Sequence, residues 1–151
     1  ANTNGASDET GLYQGTLRQN LAFLDRFILC EVGYPKPELE LELLSKVSPE
    51  LPSDLRSKMV DYANEVRRLF LGQSESPSGQ VLDITFSTRT LIRWANLTVR
   101  FQPLAKQGLS PISHALDRAL AFRATPESRT FLHELAQRIF PNLSNAKENQ
   151  A

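Results

Sequence analysis

Net charge is missing from this chain: 17 lysines and arginines are matched by 17 aspartates and glutamates. Without a long-range field, nucleic-acid binding and attraction to an anionic membrane lose their usual driving force, although a local basic patch is still allowed. Cysteine is nearly missing too. Cys30 stands alone and cannot close an internal disulfide, so nothing calls for an oxidising compartment. No apolar run approaches the roughly 20 residues that cross a bilayer, and the polar stretch Ala1–Thr10 lacks the character of a secretion signal. The expectation is a soluble protein of a reducing compartment, the cytoplasm, with no membrane partner. What is present agrees: 151 residues suffice for one ordinary domain, and 40% hydrophobic with 23% charged is the balance of a globular chain.

Residues 1–15 are rich in Asn, Thr, Ser, Asp and Gly and read as a loop. Leu17, Leu21 and Leu24 support a short helix over Thr16–Asp25. Phe27–Val32 is a compact apolar run closed by Gly33, Pro35 and Pro37, and it reads as a buried strand. Pro37–Val47 admits two readings. Glu38-Leu39-Glu40-Leu41-Glu42-Leu43 alternates as a half-buried strand does, whereas Leu39, Leu43, Leu44 and Val47 share a helical face. Glu and Leu favour helix, and Pro37 followed by acidic residues suits a first helical turn, so a helix is expected.

Further helices are expected over Pro52–Leu71, capped by Ser53 and buried through Leu55, Met59, Tyr62, Ala63, Val66, Leu69 and Phe70, and from Ser87 to the stop at Pro103, with Leu91, Trp94, Ala95, Thr98 and Phe101 inward. Two more cover Pro111–Phe122 and Pro126–Phe140. Gly72–Gly79 reads as a linker, Val81–Thr85 as a short extended stretch, and the tail from Asn142 as polar and frayed. The fold class is mainly α, with one strand preceding a bundle of about five helices. That strand needs a partner for its backbone groups, supplied either by the Val81 region or by a sheet upstream of this chain.

Two arginines are placed where chemistry collects. Arg26 lies at the junction of a helix and the expected strand, the rim where ligands gather in α/β folds; its plain alternative is a surface pair with Asp25. Arg89 lies in the first turn of its helix, where a cation opposes the dipole at about 0.3–1 kcal/mol. That placement makes sense if the side chain awaits an anion. Asn2 alone is uninformative. Gly11 and Gly15 lack the lysine of a phosphate loop and read as turn residues. Asn96-Leu97-Thr98 matches a glycosylation acceptor but falls inside a helix. His114 and His133 lack metal-site spacing, Trp94 reads as core, and Asp83, Asp117 and Glu134 show no acid–base pairing.

Taken in order, Ala1-Asn2-Thr3-Asn4, Gly11-Leu12-Tyr13-Gln14-Gly15-Thr16, Phe23-Leu24-Asp25-Arg26-Phe27 and Ser87-Thr88-Arg89-Thr90-Leu91-Ile92-Arg93-Trp94-Ala95 resemble the C-terminal half of AAA+ ATPases, closest to the cobaltochelatase small-subunit type near the MoxR and NorQ-type and dynein-related groups. The resemblance implies that residues 1–35 are the end of an α/β P-loop core, residues 36–141 a helical lid and residues 142–151 a tail. It implies that Asn2 is the sensor 1 residue that helps orient the attacking water. By the same resemblance Arg26 is an arginine finger reaching a neighbouring subunit's ATP, and Arg89 is the sensor 2 residue contacting the nucleotide phosphates. The family often carries Pro where this chain has Thr88.

It further implies ATP and Mg2+ as cofactors of the intact parent, a homo-oligomeric ring (a hexamer in the family), and a remodelled protein partner, with a VWA-type domain as one form and a metal chelatase as one reaction. The Gly-x-x-x-x-Gly-Lys-[Ser/Thr] loop and the apolar strand ending in Asp-Glu, which precede sensor 1 in the family, are not in these residues. The chain starts with Ala1 at the sensor 1 segment, so it reads as a fragment that neither binds nor hydrolyses ATP alone. Two other readings stand beside this one: a non-catalytic helical interaction module, and a nucleic-acid motor of the same superfamily, which the neutral charge disfavours.

Overall fold

A computed structural model describes residues 21–28, 30, 32–73 and 82–141. The chain divides into two compact units, residues 1–33 and 34–151, each described by itself. The described residues are mainly helical, and no strand occurs among them.

In the first unit, helix α1 covers Leu21–Leu24, inside the helix expected over Thr16–Asp25; Thr16–Asn20 lie outside the described residues. A turn follows, closed by the Arg26 N–H donating to the Phe23 carbonyl at 3.2 Å. The Phe23 and Phe27 rings lie 4.9 Å apart. The strand expected over Phe27–Val32 is corrected where it is described: Phe27, Ile28, Cys30 and Val32 are exposed and unpaired as strand. The run is apolar, but an extended segment becomes a strand only when a neighbour takes its N–H and C=O groups. Leu82–Ser87, the nearest candidate in sequence, is non-helical yet forms no ladder.

The second unit is a helical bundle: α2 (Pro37–Val47), α3 (Ser53–Phe70), α4 (Thr88–Arg100), α5 (Pro111–Ala119) and α6 (Pro126–Ile139), with 3₁₀ turns at Gln102–Gln107 and Ala121–Arg123. Proline occupies the first turn of α2, α5 and α6, where its missing N–H costs nothing and its φ is already helical. α3 ends on Gly72 at φ +66°, with the Gln73 N–H reaching back to the Arg68 carbonyl at 2.9 Å. This is the left-handed closure that glycine makes cheap. Ser53 does not cap α3. It is the first helical residue, Pro52 holds the cap position, and no side chain caps that end.

The core joins all five helices around four aromatics. Trp94 lies 5.0 Å from Tyr62, 5.6 Å from Phe86 and 5.8 Å from Phe140, centroid to centroid. Each sits tilted or edge-on, the arrangement that ring quadrupoles favour. Both buried polar aromatics are satisfied: the Tyr62 hydroxyl donates to the Leu132 carbonyl at 2.8 Å and the Trp94 indole N–H to the Ile112 carbonyl at 3.0 Å. The inner faces of α3 and α4 are those expected. That of α2 is rotated by about one residue. Leu39 is 57% exposed and Val47 is exposed, while Glu40 is fully buried beside Leu44.

Candidate functional site

The N-terminal turn of α4 is held by an unusual number of restraints. Phe86 and Leu82 are buried in the core, which fixes the chain leading into the helix. Ser87 then caps it, its Oγ accepting the Thr90 N–H at 3.1 Å, while its carbonyl accepts the Leu91 N–H at 2.9 Å. Thr88, the first helical residue, donates its hydroxyl to Glu40 Oε1 at 2.7 Å. Arg89 comes next. It is exposed, and among the described residues its guanidinium has no hydrogen bond or ion pair. Arg93, one turn on along the same face, is exposed as well.

Behind this turn lies a buried ion pair that hydrophobic patterning alone does not reveal. Glu40 is 0% exposed and Arg67 3%. The guanidinium grips the carboxylate with two bonds of 2.8 Å. Its Nε donates to the Phe86 carbonyl at 2.6 Å, and Nη1 also reaches Asn64 Oδ1 at 2.9 Å. The fork therefore ties α2 and α3 to the residue just before the α4 cap. The Tyr34 ring lies over the guanidinium at 4.3 Å, and its hydroxyl meets the Thr85 hydroxyl at 3.0 Å. A bidentate, fully bonded pair of this kind is the form in which charges tolerate burial. Because the pair is internally neutral, Arg89 carries the uncompensated charge of the turn.

The other sequence candidates fall elsewhere. Arg26 is exposed in the turn after α1, in the first unit, so it and Arg89 belong to separately described units. Asn2 lies outside the described residues, as do the glycine pair Gly11 and Gly15. Asp117 and His133, unpaired in the sequence reading, meet across α5 and α6 at 2.7 Å; no local motif joins residues sixteen apart. Asp83 accepts the Thr125 N–H at 3.1 Å beside the start of α6. Asn96, on exposed α4 surface, accepts from the Ser48 hydroxyl at 2.8 Å. Among the described residues no group of three His, Cys, Asp or Glu gathers to hold a metal, and no helix is long and apolar enough to cross a membrane.

This arrangement has a clear relation to known proteins. Residues 40–139, from the buried Glu40 to the end of α6, match the family described as CbbQ/NirQ/NorQ C-terminal. An aerobic cobaltochelatase subunit CobS from Sinorhizobium sp is 33% identical over 100 residues, which is 63% of this chain and 28% of that relative. No solved structure matches. The bundle that carries Arg89 thus coincides with the matched region, and the chain belongs to the CbbQ/NirQ/NorQ C-terminal family, as a C-terminal portion of the CbbQ and MoxR type of AAA+ ATPase.

Proposed function

We propose that this chain is the lid-bearing part of an AAA+ ATPase that couples ATP binding and hydrolysis to remodelling of a partner protein, with metal chelation as the reaction class. The observation that carries the reading is Arg89: an exposed guanidinium without a partner among the described residues, held by a capped and buried scaffold in a helical first turn where the dipole disfavours it. A cation kept in that position is suited to an anion brought from outside, and a nucleotide phosphate fits both its charge and its planar fork.

On this reading residues 36–141 form the lid and Arg89 is its phosphate sensor. Arg26 is the finger that completes a neighbouring subunit's site in a ring, and Asn2 helps align the attacking water. ATP and Mg2+ would be held by the phosphate-binding core of the parent, where the metal would supply neutralisation of phosphate charge. Catalysis by these residues is electrostatic: charge building on the transferred phosphoryl group is met by fixed guanidinium donors.

The test uses the complete ATPase. Arg26→Ala is expected to lower turnover by about 10³-fold or more, the scale of an arginine finger, with ATP binding nearly unchanged. Arg89→Ala is expected to weaken ATP binding itself. Near-normal turnover in the first variant removes the finger assignment, and unchanged nucleotide affinity in the second removes the sensor.

A further inference from the structure

The Glu40–Arg67 pair is a fully buried charged group for which the proposed chemistry has no direct use, and it sits one residue away from the phosphate sensor. Its connections run in two directions. Toward α4, Glu40 Oε1 takes the Thr88 hydroxyl at 2.7 Å and Arg67 Nε holds the Phe86 carbonyl at 2.6 Å, so the residues on both sides of the Ser87 cap are bonded to the same ion pair. Toward the start of the second unit, Arg67 lies beneath the ring of Tyr34, the residue that follows Gly33, and Tyr34 is bonded in turn to Thr85.

We propose that Tyr34, Arg67, Glu40 and Thr88 form a positioning device that fixes the first turn of α4 and so sets where Arg89 presents its guanidinium, with Thr88 as the direct link. The inference rests on the sensor reading of Arg89. Proline at this position would supply helical φ but no hydroxyl for Glu40. The device also explains why Glu40, rather than Leu39, faces the core. A charge pair costs desolvation that leucine would not, and what it supplies in return is directional bonding to one particular turn.

Two experiments separate this proposal from the reading beneath it. In the 151-residue chain, Thr88→Val keeps the side-chain shape and removes the hydroxyl. Amide hydrogen exchange at Thr90 and Leu91, the two N–H groups held by Ser87, is expected to speed up about tenfold by local opening, while Trp94 and Ala95 keep their rates. Thr88→Ser is expected to restore protection. Unchanged exchange at Thr90 and Leu91, or equal acceleration along all of α4, overturns the device.

In the complete ATPase, Thr88→Val is expected to raise KM for ATP by about fivefold, the effect of a weakened charge-assisted contact, and Thr88→Ser to restore it. Combined with Arg89→Ala, Thr88→Val is expected to add nothing further, because it acts through Arg89. A full additional effect in the double variant overturns the positioning role while the sensor reading stands. If Arg89→Ala itself leaves KM unchanged, the sensor reading falls and takes the proposed consequence with it, and the exchange result alone then judges whether the network fixes the turn.

Discussion

Arg67 spends four N–H contacts on three acceptor groups: the Glu40 carboxylate, the Asn64 side-chain carbonyl and the Phe86 backbone carbonyl. Lysine cannot reproduce that geometry, since its ammonium is a point charge without the planar fork. Removing the guanidinium leaves Glu40 buried and unpaired. Arg67→Met is therefore expected to destabilise the second unit by about 3–5 kcal/mol. The double variant Glu40→Leu/Arg67→Met is expected to cost distinctly less than the two single changes added together, because no uncompensated charge remains. Urea midpoints for the four chains check this, and simple additivity would show that the two groups do not act as a pair. The contrast with Lys46 and Glu42 is instructive. That pair is also short, at 2.6 Å, but both side chains are mostly in water, where such contacts contribute little.

At the scale of the element, the difference between a serine that caps and one that does not is decided by one residue of register. Ser87 and Ser53 both precede strong helical patterns. Ser87 sits at the cap and accepts the Thr90 N–H, while Ser53 is already inside the first turn after Pro52. Ser87→Ala is expected to cost about 1 kcal/mol, and Ser53→Ala to stay within about 0.5 kcal/mol as an ordinary exposed change. Thermal unfolding of the two variants distinguishes them, and equal losses would overturn the cap assignment. The same comparison shows what patterning could and could not tell. Helix periodicity located α2 through α6 and the inner stripes of α3 and α4, because most of the buried positions there are apolar. It misjudged α2, where the inward residue is an acid whose partner lies 27 positions away in α3. It placed Arg89 at a helix start but not the scaffold behind it, since the Tyr34–Arg67–Glu40–Thr88 chain joins residues from separate elements. It expected a strand at Phe27–Val32 from composition, although strand formation depends on a partner that composition does not record.

At the scale of the whole bundle, one titratable group is placed to make stability depend on alkaline pH. Tyr62 is completely buried in the aromatic core, and its hydroxyl joins α3 to α6 by donating to the Leu132 carbonyl at 2.8 Å. Burial pushes its phenol well above the ordinary value of 10.0, because the phenolate would have to lose its water. The folded value therefore lies above the unfolded one. The sign follows: the contribution to stability is complete below about pH 10, where the unfolded chain also keeps the proton, and it is lost as pH rises from there through the folded value, at up to about 1.4 kcal/mol per pH unit. Tyr62→Phe is expected to cost about 1 kcal/mol at pH 8 through the lost hydrogen bond. It is also expected to flatten the decline above pH 10, so that the gap between the two proteins narrows with rising pH. Urea midpoints measured from pH 8 to pH 11 test the point, and two parallel curves would mean that the buried phenol does not govern the alkaline limit of the fold.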